Sequence, residues 1–136
     1  MPFSEFETDV VIRPDDIDMN NHVHSSKYMD YVIAARYDQM RTHYKMSMTE
    51  FNEKGMNWYI SVTHIEYKRE MRMGDEIAVR TKVLEAGGAQ AKVGFKIVLK
   101  KTGKSAAEGY FVYTLINTTN GRPVRIPDDV VERYSI

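Results

Sequence analysis

The residues of this chain that are best suited to chemistry lie close together in the run 18–28. A carboxylate placed a few residues before a helix N-terminus faces several unpaired backbone N–H groups and a partial positive charge. A base and a set of donors for a developing oxyanion can therefore share one loop, provided that a helix begins here. The groups of interest in this run are a carboxylate, an amide, two imidazoles and a serine at the expected helix start: Asp18, Asn20, His22, His24 and Ser25.

The residue types in this run permit a specific division of roles. Asp18, with an ordinary pKa of about 3.9, is expected to be ionised at neutral pH and able to take a proton from water or to attack a carbonyl itself. Asn20 and His22 can position a water or a substrate carbonyl. The backbone N–H near Ser25 is expected to be free at the helix entrance, where it can stabilise an oxyanion. The plainer alternative makes Asp18 a turn former and His22 a loop cap.

A metal site is another interpretation of the same run, because His22, His24 and Asp18 could supply three ligands. We expect no metal, since no third histidine lies nearby in the sequence and no partner for a metal-bound imidazole is identifiable. His43 and His64 are more simply explained as capping and packing residues. Chelation is expected to leave activity unchanged.

Composition narrows the class of protein. The chain has 136 residues, 43% of them hydrophobic and 28% charged, which fits a single globular domain over 1–136. A formal net charge of zero argues against nucleic acid as a partner. No apolar run approaches the roughly 20 residues of a membrane helix, and there is neither a signal-like N-terminus nor any cysteine. We therefore expect a cytoplasmic protein without a membrane partner or cofactor.

The first half of the chain predicts one strand and one long helix. Residues 5–13 are β-prone and end before a proline. Ser25 or Ser26 can cap a helix, and the segment 27–44 contains neither proline nor glycine. The middle of this helix, residues 31–35, is apolar on every side, which predicts that something wraps around it.

The second half predicts a short helix followed by strands. Ser47 and Glu50 have the spacing of a capping box, and Gly55 is expected to end that helix. Turn signals separate the strand-like segments, so an antiparallel meander is the simplest topology. A terminal helical turn is expected after Pro127. The predicted strands are 58–69, 76–84, 89–100 and 106–116.

One strand, one long apolar helix and a series of long antiparallel strands together predict an α+β architecture. The arrangement that buries such a helix is a curled antiparallel sheet wrapped around it, which is the hotdog fold. This is the fold class that we expect.

Two segments resemble known thioesterases of this fold. The run 18–28 is similar to the Asp-x-Asn-x-His-Val-Asn-Asn-x-Lys-Tyr segment of the acyl-ACP (acyl-carrier-protein) thioesterases. With Asp16 and Asp18 as an Asp-x-Asp pair, it resembles more loosely the hydroxybenzoyl-CoA and related short-chain acyl-CoA thioesterases. Residues 65–71 are similar to the Glu-Tyr-Arg-Arg-Glu-Cys strand of the acyl-ACP enzymes, and the turn 74–75 follows.

This resemblance implies roles for individual residues. Asp18 becomes the reactive carboxylate, Asn20 and His22 its partners, and Glu70 a further polar contributor. Met71 stands where the acyl-ACP enzymes carry cysteine, so no thiol can act there.

The resemblance also implies a substrate, an acyl-CoA or acyl-ACP thioester. A thiol with a pKa of about 8.5 leaves as a thiolate with little help from an acid, so one carboxylate can suffice. Lys68 and Arg69 could meet the phosphates of the thiol arm, and Tyr28 and Trp58 are expected to contact the substrate as well. The family implies a homodimer or homotetramer and a role in fatty acid metabolism.

Two other functions fit the same fold. A hydroxyacyl-thioester dehydratase would consume the absorbance of an unsaturated acyl-CoA. A non-catalytic acyl-CoA binding module would bind its ligand tightly and release no thiol.

Overall fold

The structure is a computed structural model that describes residues 3–44 and 46–134. A short 3-10 turn at Pro14–Asp16 precedes the long helix. The elements, in chain order, are β1 (Glu5–Val10), α1 (Ser25–Thr42), α2 (Met48–Glu53), β2 (Met56–Tyr67), β3 (Ile77–Gly87), β4 (Gln90–Leu99), β5 (Ser105–Asn117) and α3 (Asp128–Tyr134).

The strands form one antiparallel sheet in the order β1-β3-β4-β5-β2. β3, β4 and β5 make the predicted meander, but the prediction is wrong for β2, which pairs with β5 at the far edge. The turn residues at 74–75 indicate that the chain reverses direction after β2. They do not indicate which strand pairs with β2. The connection after β2 instead lies against the loop before α1, where the Val23 N–H donates to the Met71 carbonyl at 2.8 Å.

α1 lies against the inner face of the curled sheet, which confirms the predicted hotdog fold. Its residues Tyr31, Val32 and Ala35 are buried in one core cluster with sheet residues such as Val79 and Phe111. Burial of these apolar side chains is what holds the helix to the sheet.

The sheet covers only part of the helix. Ala34 is exposed, Ile33 is half-buried and Tyr37 is about half exposed, although the sequence is apolar throughout 31–35. The predicted wrapping is therefore incomplete within one copy of the chain.

A buried amide fixes the position of α1 along the sheet. Gln39 donates through Nε2 to the Thr8 hydroxyl at 3.0 Å, and the Thr81 hydroxyl donates to Gln39 Oε1. Because a buried polar group without partners is costly, these bonds favour one register of α1 against β1 and β3.

The serine cap predicted for the short helix is present, and the reciprocal bond from the Glu50 carboxylate to the Ser47 N–H is not among the hydrogen bonds of the described residues. Ser47 is the N-cap of α2, and its hydroxyl accepts the Glu50 N–H at 3.3 Å. Gly55 follows with φ of +75°, a left-handed conformation that favours glycine. α2 thereby ends where the sequence predicts.

Candidate active site

The loop before α1 holds the Asp18 carboxylate in one orientation. Asp18 Oδ1 accepts the backbone N–H of Asn20 at 2.9 Å and that of His22 at 3.0 Å. The Asp18 N–H donates to the His22 carbonyl at 2.8 Å, which closes the loop. Asn21 permits this tight path with φ of +60°, a region that asparagine tolerates better than most residues.

These hydrogen bonds also set the charge of Asp18. The His22 N–H lowers the pKa of the Asp18 carboxyl, partial burial opposes this shift, and the Asn20 N–H lowers the pKa further. The group is therefore a carboxylate at neutral pH. Within the described residues, its second oxygen, Oδ2, accepts no hydrogen bond, so this oxygen can face a water molecule or a substrate.

The first turn of α1 presents backbone N–H groups that no side chain caps. The N-cap is His24, with extended backbone and no capping bond from its ring. The prediction that Ser25 or Ser26 is the cap is wrong, because both lie inside the helix. The His24 N–H donates to the Asp16 carbonyl at 3.0 Å, which fixes His24 at the position that the serines were expected to take. Among the described residues, no acceptor engages the N–H of Ser25 or Ser26.

Glu70 and His22 are distant in sequence and adjacent in the structure. His22 Nε2 lies 3.0 Å from Glu70 Oε2, and an Arg72 guanidinium nitrogen lies 3.2 Å from the same oxygen. A β-bridge between His22 and Arg72 brings the two segments together. Glu70 is therefore placed to orient the His22 ring.

Tyr28 binds the segment that follows β2 and contains Glu70. Its buried hydroxyl donates to the Arg69 carbonyl at 3.2 Å and accepts the Met71 N–H at 3.2 Å. Burial raises the pKa of Tyr28, so the hydroxyl remains protonated. The Tyr67 hydroxyl donates to the Ser25 carbonyl at 3.1 Å, and its ring packs edge-on against Tyr28. Tyr67 was not predicted from the sequence, since a tyrosine in a strand-like segment gives no local sign of a contact with the start of α1.

Asp16, the first aspartate of the Asp-x-Asp pair, is buried and contributes to the packing of α1 rather than facing solvent. The Asp16 side chain is buried at 1% exposure, accepts the Tyr31 hydroxyl at 2.7 Å and pairs with Arg13 Nε at 3.2 Å. The Tyr31 hydrogen bond is the main reason that the pKa of Asp16 is lowered. The Asp-x-Asp spacing drew attention to Asp16, but nothing in the sequence indicated that its carboxylate would bind the Tyr31 hydroxyl of α1.

Four other predicted site residues lie at the surface. Asn20 and Ser25 are exposed beside the Asp18 loop. Lys68 is exposed with its ammonium group 3.2 Å from Glu66, and the exposed Arg69 donates to the Ser105 carbonyl at 2.8 Å.

A cavity of about 110 Å³ lies toward the C-terminal end of α1. Trp58 forms part of its wall and packs edge-on against Phe51 and Tyr113. Of the residues that line the cavity, Trp58 alone was predicted as a substrate contact, because most of the wall comes from segments that are distant in the sequence. The lining is mostly apolar: Phe3, Ile33, Arg36, Tyr37, Met40, Met48, Trp58, Ile60, Val83, Ala86, Ala91, Val93, Tyr113, Ile126, Val130 and Val131.

Neither a metal cluster nor a membrane helix is found in the part of the chain that the structure describes. Residues 3–44 and 46–134 contain no group of three or more His, Asp or Glu side chains arranged to hold a metal ion. No helix in these ranges has the length and apolarity needed to cross a membrane.

The sequence as a whole matches one family. Residues 12–134 match the thioesterase-like superfamily, and the chain therefore belongs to that superfamily. No curated protein matches the chain.

Solved structures share the fold at low identity. DHNA-CoA thioesterase from Staphylococcus aureus has a TM-score of 0.88 and 19% identity, with 96% of this chain and 89% of that chain covered. A thioesterase from Thermus thermophilus, complexed with coenzyme A and Zn, has a TM-score of 0.80 and 23% identity, with 94% and 90% covered. A hypothetical protein from Staphylococcus aureus in complex with CoA has a TM-score of 0.82 and 18% identity, with 99% and 86% covered. At these identities the likeness establishes the hotdog fold.

Proposed function

We propose that this protein hydrolyses an acyl-CoA or acyl-ACP thioester, with Asp18 as the reactive carboxylate. The observation that carries the proposal is the Asp18 carboxylate itself, which two backbone N–H groups hold just before an uncapped helix start. Membership of the thioesterase-like superfamily supports thioester hydrolysis. Coenzyme A in two structural relatives supports a CoA thioester as substrate.

The chemistry follows from the placement of charge. In one route Asp18 takes a proton from water, the oxygen of that water bonds to the carbonyl carbon, and the carbonyl electrons move onto oxygen. The backbone N–H groups of Ser25 and Ser26 would stabilise that oxyanion. The C–S bond then breaks as the carbonyl forms again, and the proton that Asp18 had accepted passes to the departing thiolate, directly or through solvent, which restores the Asp18 carboxylate. In the other route Asp18 attacks the carbonyl carbon itself, the C–S bond breaks with loss of the thiolate, and water hydrolyses the resulting anhydride to the free acid and the Asp18 carboxylate.

The neighbours of Asp18 have supporting roles in this proposal. Glu70 holds the His22 ring, which can orient the attacking water, and Asn20 lies at the mouth of the loop. Lys68 and Arg69 are exposed on the connection beside this loop, where they could meet the phosphates of the thiol arm.

The acyl group would lie along α1 toward the cavity. One stripe of the helix, spaced three or four residues apart, runs from Ser26 through Met29 and Ile33 to Met40, so it joins the helix start to the cavity wall. Trp58 is the substrate contact expected at the far end. Tyr28 would affect the substrate at the start of α1 indirectly, because its hydroxyl binds the backbone of Arg69 and Met71 on either side of Glu70.

A second copy of the chain would complete the site. β2 pairs with β5 on one side only, and it exposes Tyr59, Val62 and Tyr67. A long exposed edge strand is a template for pairing with another chain. The uncovered side of α1 at Ala34 and Tyr37 is a further surface that a second copy could cover, so we propose a homodimer or homotetramer.

A thiol-release assay with acyl-CoA substrates of graded length tests the function. Asp18→Asn should lower kcat/KM by at least about 100-fold, because a positioned acid or base is typically worth 10²–10⁴. Asp15→Asn is the matched control, since this exposed acid lies in the same loop and should stay within about twofold of the parent. Asp15→Asn should unfold at the parent temperature, whereas Asp18→Asn should unfold at a somewhat lower temperature, because its amide oxygen accepts the same two N–H groups without the charge. Both variants are assayed at a temperature at which they are folded.

Each outcome separates the candidate functions. An Asp18→Asn variant that keeps more than about a tenth of the parent rate would remove Asp18 from its role. Tight acyl-CoA binding by the parent protein without thiol release would instead identify a binding module. Loss of the absorbance of an unsaturated acyl-CoA would identify a dehydratase.

A further inference from the structure

Tyr67 makes a contact that the hydrolysis proposed above leaves without a role. It is the last residue of β2, and its hydroxyl donates to the Ser25 carbonyl in the first turn of α1 at 3.1 Å. The bond joins two residues that are 42 positions apart in the chain. Its acceptor belongs to the helix start at which the oxyanion is expected to form.

Two sets of contacts hold the Tyr67 side chain in this place. Its ring lies edge-on to the Tyr28 ring, with 5.1 Å between the ring centres and 70° between the planes. The Tyr28 hydroxyl is itself bound to the Arg69 carbonyl and the Met71 N–H. The backbone of Tyr67 is paired with Ala107 of β5. Strand pairing and ring packing therefore fix a side chain that is half exposed.

The covalent structure of the peptide group connects this contact to the oxyanion. The Ser25 carbonyl and the Ser26 N–H belong to one peptide group, which is planar and rigid. A hydrogen bond that orients the carbonyl therefore also orients the N–H at the opposite edge of the same plane. In the proposed hydrolysis, this N–H is one of the two oxyanion donors.

The same hydrogen bond should make the Ser26 N–H a stronger donor. A carbonyl oxygen has two lone pairs, so the Ser25 oxygen can accept the Tyr67 hydroxyl together with an N–H of the next helical turn. Successive hydrogen bonds polarise one another, and a donor at the carbonyl draws electron density from the amide nitrogen. The N–H should then stabilise a developing negative charge more strongly.

Tyr67 acts through the peptide group in this arrangement and does not touch the reacting atoms. In a helix the N–H groups point toward the N-terminus and the carbonyl groups point away from it. The Tyr67 hydroxyl therefore lies at the edge of the peptide plane that is remote from the oxyanion. Its role would differ from that of a general acid, which must reach the departing group.

We propose that Tyr67 is a positioning residue that orients and strengthens the Ser26 N–H as an oxyanion donor. The inference rests on the proposed hydrolysis, because the role exists only in the transition state of that reaction. A donor aimed at developing charge stabilises the transition state more than the bound substrate. Loss of the Tyr67 hydroxyl should therefore act on kcat rather than on KM.

Tyr67→Phe tests the proposal, because it removes the hydroxyl and keeps the ring against Tyr28. With a short-chain acyl-CoA substrate, kcat should fall by about tenfold and KM should change by less than about twofold. Deleting an oxyanion donor outright typically costs about 10²–10³ in kcat. The loss expected here is smaller, because the Ser26 N–H remains and water can bind the Ser25 carbonyl.

Two variants serve as controls. Tyr110→Phe is the matched change on β5, since within the described residues the Tyr110 hydroxyl makes no hydrogen bond and the ring stacks on His64. It should leave kcat and KM within about twofold of the parent. Incorporation of 4-aminophenylalanine at position 67 restores a donor at the same place and should recover part of the lost rate. Thermal unfolding verifies that each variant is folded at the assay temperature.

A binding measurement separates the transition state from the bound substrate. An S-alkyl-CoA thioether has no carbonyl oxygen, so calorimetry should give the parent and Tyr67→Phe affinities within about twofold of each other. If thioether affinity falls as much as kcat/KM does, Tyr67 belongs to substrate binding and the inference is overturned. Parental kcat in folded Tyr67→Phe would also overturn it, with the proposed hydrolysis intact. A parent protein that releases no thiol from any acyl-CoA would overturn the proposed function, and this inference with it.

Discussion

The two ends of α1 are built in different ways. At its N-terminal end, hydrogen bonds to the backbone hold Asp18, His22 and the buried hydroxyl of Tyr28. At its C-terminal end, α1 packs with α2 and α3 in a second core cluster that contains Met40 and Phe51. Directional bonds specify atomic positions, whereas apolar packing specifies volume.

This difference matches what a thioesterase requires. A reacting carboxylate must be held within a fraction of an ångström, and short hydrogen bonds to backbone N–H groups achieve this. An acyl chain needs only a cavity of suitable size and lining. We therefore expect changes at the first end to act on kcat and changes at the second end to act on stability and substrate choice.

The largest effect on folding is expected at the packed end. Phe51 is fully buried, so Phe51→Ala should lower the free energy of unfolding by about 3–5 kcal/mol through lost burial and a cavity. Hydrolysis of a short-chain thioester per folded molecule should be preserved, because Phe51 lies in the core cluster at the other end of α1 from the Asp18 loop. Denaturant unfolding and thiol release measure the two effects.

The exposed Thr49 supplies the control on the same helix. Thr49→Ala should change stability by no more than about 0.5 kcal/mol. A large fall in short-chain kcat for folded Phe51→Ala would show that the two ends of α1 are coupled, against the comparison drawn here.

A smaller effect is expected from Tyr28→Phe at the hydrogen-bonded end. The change removes the hydroxyl that accepts the buried Met71 N–H, which should cost about 1–3 kcal/mol of stability. Because Glu70 lies between the two backbone groups that Tyr28 holds, kcat should fall as well. Chemical denaturation and steady-state kinetics check both.

Tyr110→Phe is the matched change, since within the described residues the Tyr110 ring stacks on His64 and its hydroxyl makes no hydrogen bond. It should alter neither stability nor kcat. A Tyr28→Phe variant with parental kcat and a raised KM would instead assign Tyr28 to substrate binding alone.

The smallest effect concerns acid stability at Asp16. Its pKa is lowered in the folded state, so its contribution is full above the unfolded pKa of about 3.9 and is lost as pH falls through the lower folded value. Asp16→Asn should therefore lower Tm at neutral pH, and the difference from the parent should shrink below about pH 4. Thermal unfolding across pH measures this difference. A constant difference down to about pH 2 would show that the Asp16 charge contributes nothing to stability.

Much of the fold was predictable because local signals agree with it. The N-cap at Ser47, the long segment that becomes α1 and the strand segments are present close to their predicted bounds. The neighbour of β2 was not predictable, because turn residues encode a reversal of the chain and strand pairing depends on contacts distant in sequence.

The candidate site likewise has features that local spacing predicts and features that depend on contacts with other segments. Asp18 and its loop could be predicted from local spacing, since the bonds to Asn20 and His22 span only a few residues. The prediction for the cap of α1 was wrong because the Asp16 carbonyl, not a serine hydroxyl, fixes the residue before the helix.

The amino-acid sequence by itself determined the α+β class, the long helix and the loop that orients Asp18, because each depends on interactions between residues near in the chain. Only the tertiary structure decided the contact of Glu70 with His22, the burial of Asp16 against Tyr31 and the place of Arg36 in an apolar cavity. These features depend on which distant segments pack together. That packing is set by the burial of the whole core and by the pairing of whole strands.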